Sequence, residues 1–233
     1  MAAETYAPFT GQAPAAATPV TLYTSPAATV SMVALLTACT TTKSPSAQDD
    51  SIRVWVIPSG QSAADQYLVI CDMVVDATDP YVLNAPIVLN AGDFIQVQSA
   101  NGTIAFNGSC LQITVSSYET YVPFGGILPT AATPTVLFTS PGGTITLEAW
   151  LQACNTTKAG AGANDLIRIW IVPNGQSTGA PLDRYLVACD LTVDPFDPYM
   201  RTDLPVLAAG DAIVVYSLNG NVAFNGAGLE MTN

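Results

Sequence analysis

Few residues in this chain could carry chemistry, and their spacing points away from a reaction centre. Histidine is absent, which removes Ser-His-Asp and Cys-His catalysis and the commonest metal ligand together. Lys43 and Lys158 sit in polar stretches and read as solvated side chains. Carboxylates are more numerous, and a glycosidase needs two of them flanking the scissile bond. Asp72, Asp76, Asp79 and Asp93 return as Asp190, Asp194, Asp197 and Asp211. Asp79-Pro80-Tyr81 and Asp197-Pro198-Tyr199 are turn initiators, and Asp93 and Asp211 follow Gly in turns, where Asp bonds nearby backbone N–H groups. No spaced D-x-D-x-D-G loop supports calcium. No catalytic residue, metal site or cofactor is expected.

Five cysteines occur: Cys39, Cys71, Cys110, Cys154 and Cys189. No C-x-x-C pair is present, so zinc is not indicated. They read either as buried thiols filling small gaps or as one disulfide per repeat, Cys39 with Cys71 and Cys154 with Cys189. Cys110 has Gly228 as its counterpart and is the candidate for an intermolecular bond. The remaining candidates are for binding. Trp55 and Trp170 each stand two residues from an arginine, Arg53 and Arg168. They form either an exposed stripe for sugar or protein, or a second apolar face of a sandwich.

The elements that must hold these residues are strands. Ile52, Val54 and Val56 alternate with Arg53, Trp55 and Ile57, and Pro58-Ser59-Gly60 ends the run. Its twin runs from Ile167 to Val172. Further strands are expected over Val20–Tyr23, Thr29–Ala38, Tyr67–Val75, Phe94–Ser99, Ile104–Asn107 and Leu111–Val115. Asn101-Gly102 and Asn219-Gly220 fit type I′ hairpin turns. Val30–Ala38 and Ile145–Ala153 compete as helices, but one fold must serve both copies and the first is strand-like.

Those copies are the dominant feature of the sequence. ETYAPF from Glu4 returns as ETYVPF from Glu119, and IRVWVIPSGQS from Ile52 as IRIWIVPNGQS from Ile167, both at an offset of 115. After a short insertion around Thr178–Arg184 the offset becomes 118, where YLVICD matches YLVACD and AFNG matches AFNG. The Pro/Ala-rich segments repeat too, so they are more than linkers. The expected architecture is all-β: two tandem β-sandwich domains, jelly-roll or immunoglobulin-like, each with an extended N-terminal arm. Its boundaries are 1–17 for the arm, 18–116 for repeat 1, 117–132 for the connecting arm and 133–233 for repeat 2. Tyr6 and Phe9, and Tyr121 and Phe124, either staple each arm to its own domain or dock it on the other repeat or a neighbouring subunit.

Composition narrows the partners. Apolar residues make up 49% and charged residues only 10% of the chain, with a net charge of −12. The hydrophobicity excludes a disordered chain, and a surface so poor in charge suits a protein covered by neighbours. Without a Lys/Arg cluster, nucleic-acid binding is not expected, nor is attraction to anionic lipid. No secretory signal is visible at the start, and no apolar run reaches a membrane span.

Leu22-Tyr-Thr-Ser-Pro26, then Ala38-Cys-Thr-Thr-Thr42, then Arg53-Val-Trp-Val-Ile-Pro-Ser-Gly60 resembles a module of structural proteins of tailed bacteriophages. Leu89–Val97 and the closing F-N-G segment fit it, and the second copy has the same order. The resemblance covers nearly the whole chain and rests on turns and strand edges. It implies a virion protein, assembled in the host cytoplasm, that decorates head, neck or tail by binding a major capsid, neck or tail protein. A homo-oligomer of trimeric or ring symmetry is expected with it, and a receptor- or carbohydrate-binding fibre module is the alternative.

Overall fold

The computed structural model describes residues 4–41, 49–77, 79–83, 87–114, 119–157, 164–195, 197–202 and 206–232. Lys43, Lys158 and the expected boundary at 116/117 lie outside them. The chain divides into two compact units, Met1–Ala64 with Ile70–Ser116, and Asp65–Val69 with Ser117–Asn233.

The first unit contains β1 (Glu4–Pro8), β2 (Val20–Thr24), β3 (Thr29–Thr40), β4 (Asp50–Ile57), β5 (Leu68–Val75), β6 (Tyr81–Leu83), β7 (Ile87–Leu89), β8 (Phe94–Ser99) and β9 (Ile104–Thr114). The first residues of β5 fall in the other unit's grouping. One sheet has the order β1-β9-β3-β6, with β7 also pairing β3, and the other β2-β8-β4-β5. Strands one, three and the last thus share a sheet while two, four and five share its partner. This is the double Greek-key winding of a jelly roll, so the immunoglobulin-like alternative falls away.

The second unit repeats the winding. Its strands are β10 (Glu119–Ile127), β11 (Thr135–Thr139), β12 (Thr144–Asn155), β13 (Asp165–Val172), β14 (Leu186–Val193), β15 (Tyr199–Arg201), β16 (Ala212–Ser217) and β17 (Val222–Thr232). They order as β10-β17-β12-β15 and β11-β16-β13-β14. Both segments that competed as helices are strands, β3 and β12. Among the described residues the counterpart of β7 is the bridge Thr146 to Leu207.

The inward rows come from period-two alternation. In the second unit Leu151, Ala153, Val222 and Phe224 from one sheet meet Ile167, Ile169, Ile213 and Val215 from the other. The matching Leu36, Ala38, Ile104, Phe106, Ile52, Val54, Ile95 and Val97 are all fully buried. Each of these side chains larger than alanine contributes about 1.5–3 kcal/mol of burial.

Three expectations change. The segments read as arms contain strands: β1 pairs β9 from Glu4↔Ile113 to Pro8↔Ser109, and β10 pairs β17 from Glu119↔Met231. Their sequence looked irregular because edge strands tolerate Pro. The two strands expected at Ile104–Asn107 and Leu111–Val115 are one, β9, as far as the described Thr114. Gly108 does not break it. A Cβ there would stand 2.5 Å from both the Leu35 carbonyl and the Phe9 ring, so this glycine admits a close approach. Finally, Asn101-Gly102 is not a type I′ turn, which needs positive φ at both residues. Gly102 has φ +75°, whereas Asn101 is outside the left-handed region, because its N–H is drawn to the Asp50 carboxylate.

Candidate interaction surfaces

The Tyr-x-Pro-Phe segments are the first candidates. Phe9 is buried, its N–H bonds the Gly108 carbonyl at 2.8 Å, and its ring stacks on Tyr23 at 4.6 Å. Phe124 is buried likewise and stacks on Phe138 at 4.2 Å. Both phenylalanines are therefore spent inside their own units. Tyr6 is 77% exposed, and Tyr121 is partly buried.

Trp55 and Trp170 are 6% and 4% exposed, so neither offers an open ring face to a sugar. Trp170 joins Val172, Ala212 and Val214 in a second apolar cluster, with Tyr185, Leu186 and Tyr216 at its edge. Their arginines are committed as well. Arg53 meets Asp72 through two bonds of 2.6 and 2.8 Å, and Arg168 meets Asp190 at 2.6 and 3.1 Å. Asp72 and Asp190 both have φ +48°, which turns each carboxylate toward its guanidinium. The Arg168 pairing, through its hydrogen bond first and its charge after opposing desolvation, holds the Asp190 carboxyl below its ordinary value.

Four further acids, Asp50, Asp93, Asp165 and Asp211, brace turns, two of them at a position that sequence reasoning missed. Asp50 is 2% exposed and accepts from Ser99 Oγ at 2.5 Å, Thr103 Oγ1 at 2.8 Å and Asn101 N at 3.0 Å. Burial pushes its carboxyl up, but the Ser99, Thr103 and backbone donors together bring it below the ordinary value. Asp165 repeats this with Ser217 Oγ at 2.6 Å and Asn219 N at 3.0 Å. The signal was present, since Asp50 and Asp165 open matching strands two residues before Ile52 and Ile167. Asp93 accepts from Ser59 N at 2.8 Å and Asn90 N at 2.9 Å. Burial outweighs those bonds and raises its carboxyl. Among the described residues no group of three or more His, Cys, Asp or Glu is placed to hold a metal. Among them, too, no helix is long and apolar enough to cross a membrane.

All five cysteines are thiols in the structure. Cys39 on β3 and Cys71 on β5 lie in different sheets, as do Cys154 on β12 and Cys189 on β14, and neither pair is bonded. Cys110, the candidate for an intermolecular link, is fully buried within its own unit. Burial pushes its thiol up against the opposing Tyr23 and Ser31 bonds. Its neighbours form a small polar cluster, with Tyr23 Oη 2.8 Å from Ser31 Oγ and Gln112 Nε2 donating to Tyr23 Oη at 2.9 Å.

One surface was not foreseen. In the second unit the outward row of β12, Trp150, Gln152 and Cys154, is buried, as is Asn225 on β17. Residues Asp65–Val69 lie against it, beginning with a single 3-10 turn over Asp65–Tyr67. Gln152 Nε2 donates to the Val69 carbonyl and Asn225 Nδ2 to the Leu68 carbonyl at 2.9 Å. Gly126 admits the segment, for a Cβ there would collide with the Gln66 carbonyl and stand 2.8 Å from the Tyr67 ring.

No family model matches the sequence, and no curated protein does. Among solved structures, the N-terminal CBM22-1-CBM22-2 tandem domain of Paenibacillus barcinonensis Xyn10C aligns at 9% identity and TM-score 0.28, covering 100% of this chain and 93% of that one. The STIV MCP aligns at 8% identity and TM-score 0.33, covering 99% and 97%. The structure of infectious bursal disease virus Gx strain aligns at 7% identity and TM-score 0.25, covering 100% and 73%. At such scores the class of this protein, a tandem pair of jelly rolls, rests on its own strand order.

Proposed function

We propose that this chain is a non-enzymatic virion structural protein that decorates or cements the exterior of a particle by binding a major capsid, neck or tail protein. The observation that carries the reading is the tandem jelly roll itself. This architecture serves viral capsids and lectins, and here it comes with a surface poor in charge. Every acid named as a catalytic candidate for which partners are described is tied to a turn or an arginine, which supports a structural role. Two linked modules would bind adjacent sites with avidity beyond either alone. A phage particle, assembled in a host cytoplasm, is the specific setting the sequence resemblance suggests.

The test is cryo-electron microscopy of particles purified from the source. Density for two joined jelly rolls on the capsid lattice, neck or tail shaft is the expected result, and absence from the particle overturns the reading. Since lectins share the architecture, density at fibre tips alone would favour receptor or glycan recognition, through a surface other than the buried Trp55 and Trp170.

A further inference from the structure

The two repeats are close in sequence yet differ sharply in what is covered. On the outward row of β12, Trp150, Gln152 and Cys154 are 2%, 0% and 2% exposed. Their counterparts on β3 are Leu35, Thr37 and Cys39, of which Leu35 and Cys39 are exposed and Thr37 half-buried. Asn225 is buried, whereas Asn107, in the identical A-F-N-G segment, is exposed. Gly126 lies under the Gln66 carbonyl, while its counterpart Gly11 is exposed and its Cβ would meet only the Asn107 carboxamide closely.

The covering segment shows the reverse asymmetry. Tyr67, Leu68 and Val69 are 7%, 1% and 0% exposed. Tyr185, Leu186 and Val187, in the matching Asp183–Val187, are only partly buried. That segment has the same local form, a 3-10 turn over Asp183–Tyr185 leading into a strand. Each chain thus presents one open face and one partly open segment, at the repeat-related positions of the two surfaces that pack together within the second unit, with Leu35 and Thr37 standing where Trp150 and Gln152 do.

We propose that these two surfaces bind each other between copies of the chain: residues 183–187 of one copy seat on the Leu35/Thr37/Asn107 face of the next. Asn107 Nδ2 then donates to the Leu186 carbonyl as Asn225 does to Leu68. The Val187 carbonyl, already taking Arg201 Nη1, keeps a second lone pair. The contact is head to tail, so it builds a ring where the rotation closes and a filament where it does not. It rests on the burial asymmetry and stands whether or not the chain binds a particle.

Sedimentation velocity of the full chain over a concentration series tests it. The wild type is expected to associate beyond its 24.2 kDa monomer. On the face, Asn107→Ala and Gly11→Leu should each weaken association by about tenfold or more, and on the segment Tyr185→Asp should do the same. Asn107 is exposed, so Asn107→Ala reports on binding with the fold intact, and melting curves check the other two. A mixture of Gly11→Leu and Tyr185→Asp retains one good face and one good segment. It should form dimers and stop there. A wild type that stays monomeric, association indifferent to all three changes, or a mixture that does not pair overturns the proposal.

Discussion

The Phe9 ring lies stacked on Tyr23, tilted by 24° with centroids 4.6 Å apart, and so fastens the end of β1 in one sheet to β2 in the other. Phe124 and Phe138 repeat the contact at 4.2 Å. Phe9→Ala and Phe124→Ala should each destabilise their own unit by about 3–5 kcal/mol, the cost of emptying a buried aromatic site. Denaturant unfolding followed by circular dichroism would measure it. For the same reason removal of residues 1–17 strips β1 from β9, and limited proteolysis should find the first unit loosened. An unchanged digestion pattern would return those residues to the status of an arm.

Asp50 and Asp93 give opposite pH dependences. The folded Asp50 carboxyl lies below its ordinary value of 3.8. Its stabilisation is therefore present above that value and is lost as pH falls through the lower, folded one. Asp93 is raised by burial, so acidification toward its folded value favours the folded state. The stability gap between wild type and Asp50→Asn, followed from neutral pH downward, should start to shrink below about pH 4, where the unfolded-chain carboxylate protonates, and close below the folded value. A constant gap at all pH values would remove Asp50 from the acid response.

Ala28 has φ +58°, and its counterpart in the second repeat is Gly143 with φ +79°. A side chain in that region costs about 1–2 kcal/mol, partly offset by the unfolded-state entropy of glycine. Ala28→Gly should raise thermal stability slightly, and Gly143→Ala should lower it by about 1 kcal/mol. Calorimetry of the two variants would show opposite shifts in Tm.

The thiols should divide by exposure. Cys39 and Cys189 are exposed, and Cys71, Cys110 and Cys154 are buried. An aromatic disulfide reagent should modify the first pair quickly in native protein and the other three only on unfolding. Fast reaction of Cys110 would contradict its burial beneath Tyr23, since the thiolate is the reactive form and burial disfavours it.

The sequence by itself determined the duplication, the all-β class and the inward rows, because side-chain period and turn chemistry are local properties. Ile52 and Val54 could be placed in the core from alternation alone. It also showed that Phe9 and Phe124 were anchors, without saying to what. Pairing partners join residues far apart in the chain, and only the tertiary structure decided them. It made the Pro-containing segments of Tyr6 and Tyr121 into edge strands, and it selected the jelly-roll order. It also placed Asp50 beneath the Asn101 turn and buried Trp55 and Trp170 on the strand faces opposite the inter-sheet core. The contrast between Asn107 and Asn225 shows the limit most clearly. Their local sequences are identical, and one is exposed while the other is buried, because burial depends on what packs across a face rather than on the strand that forms it.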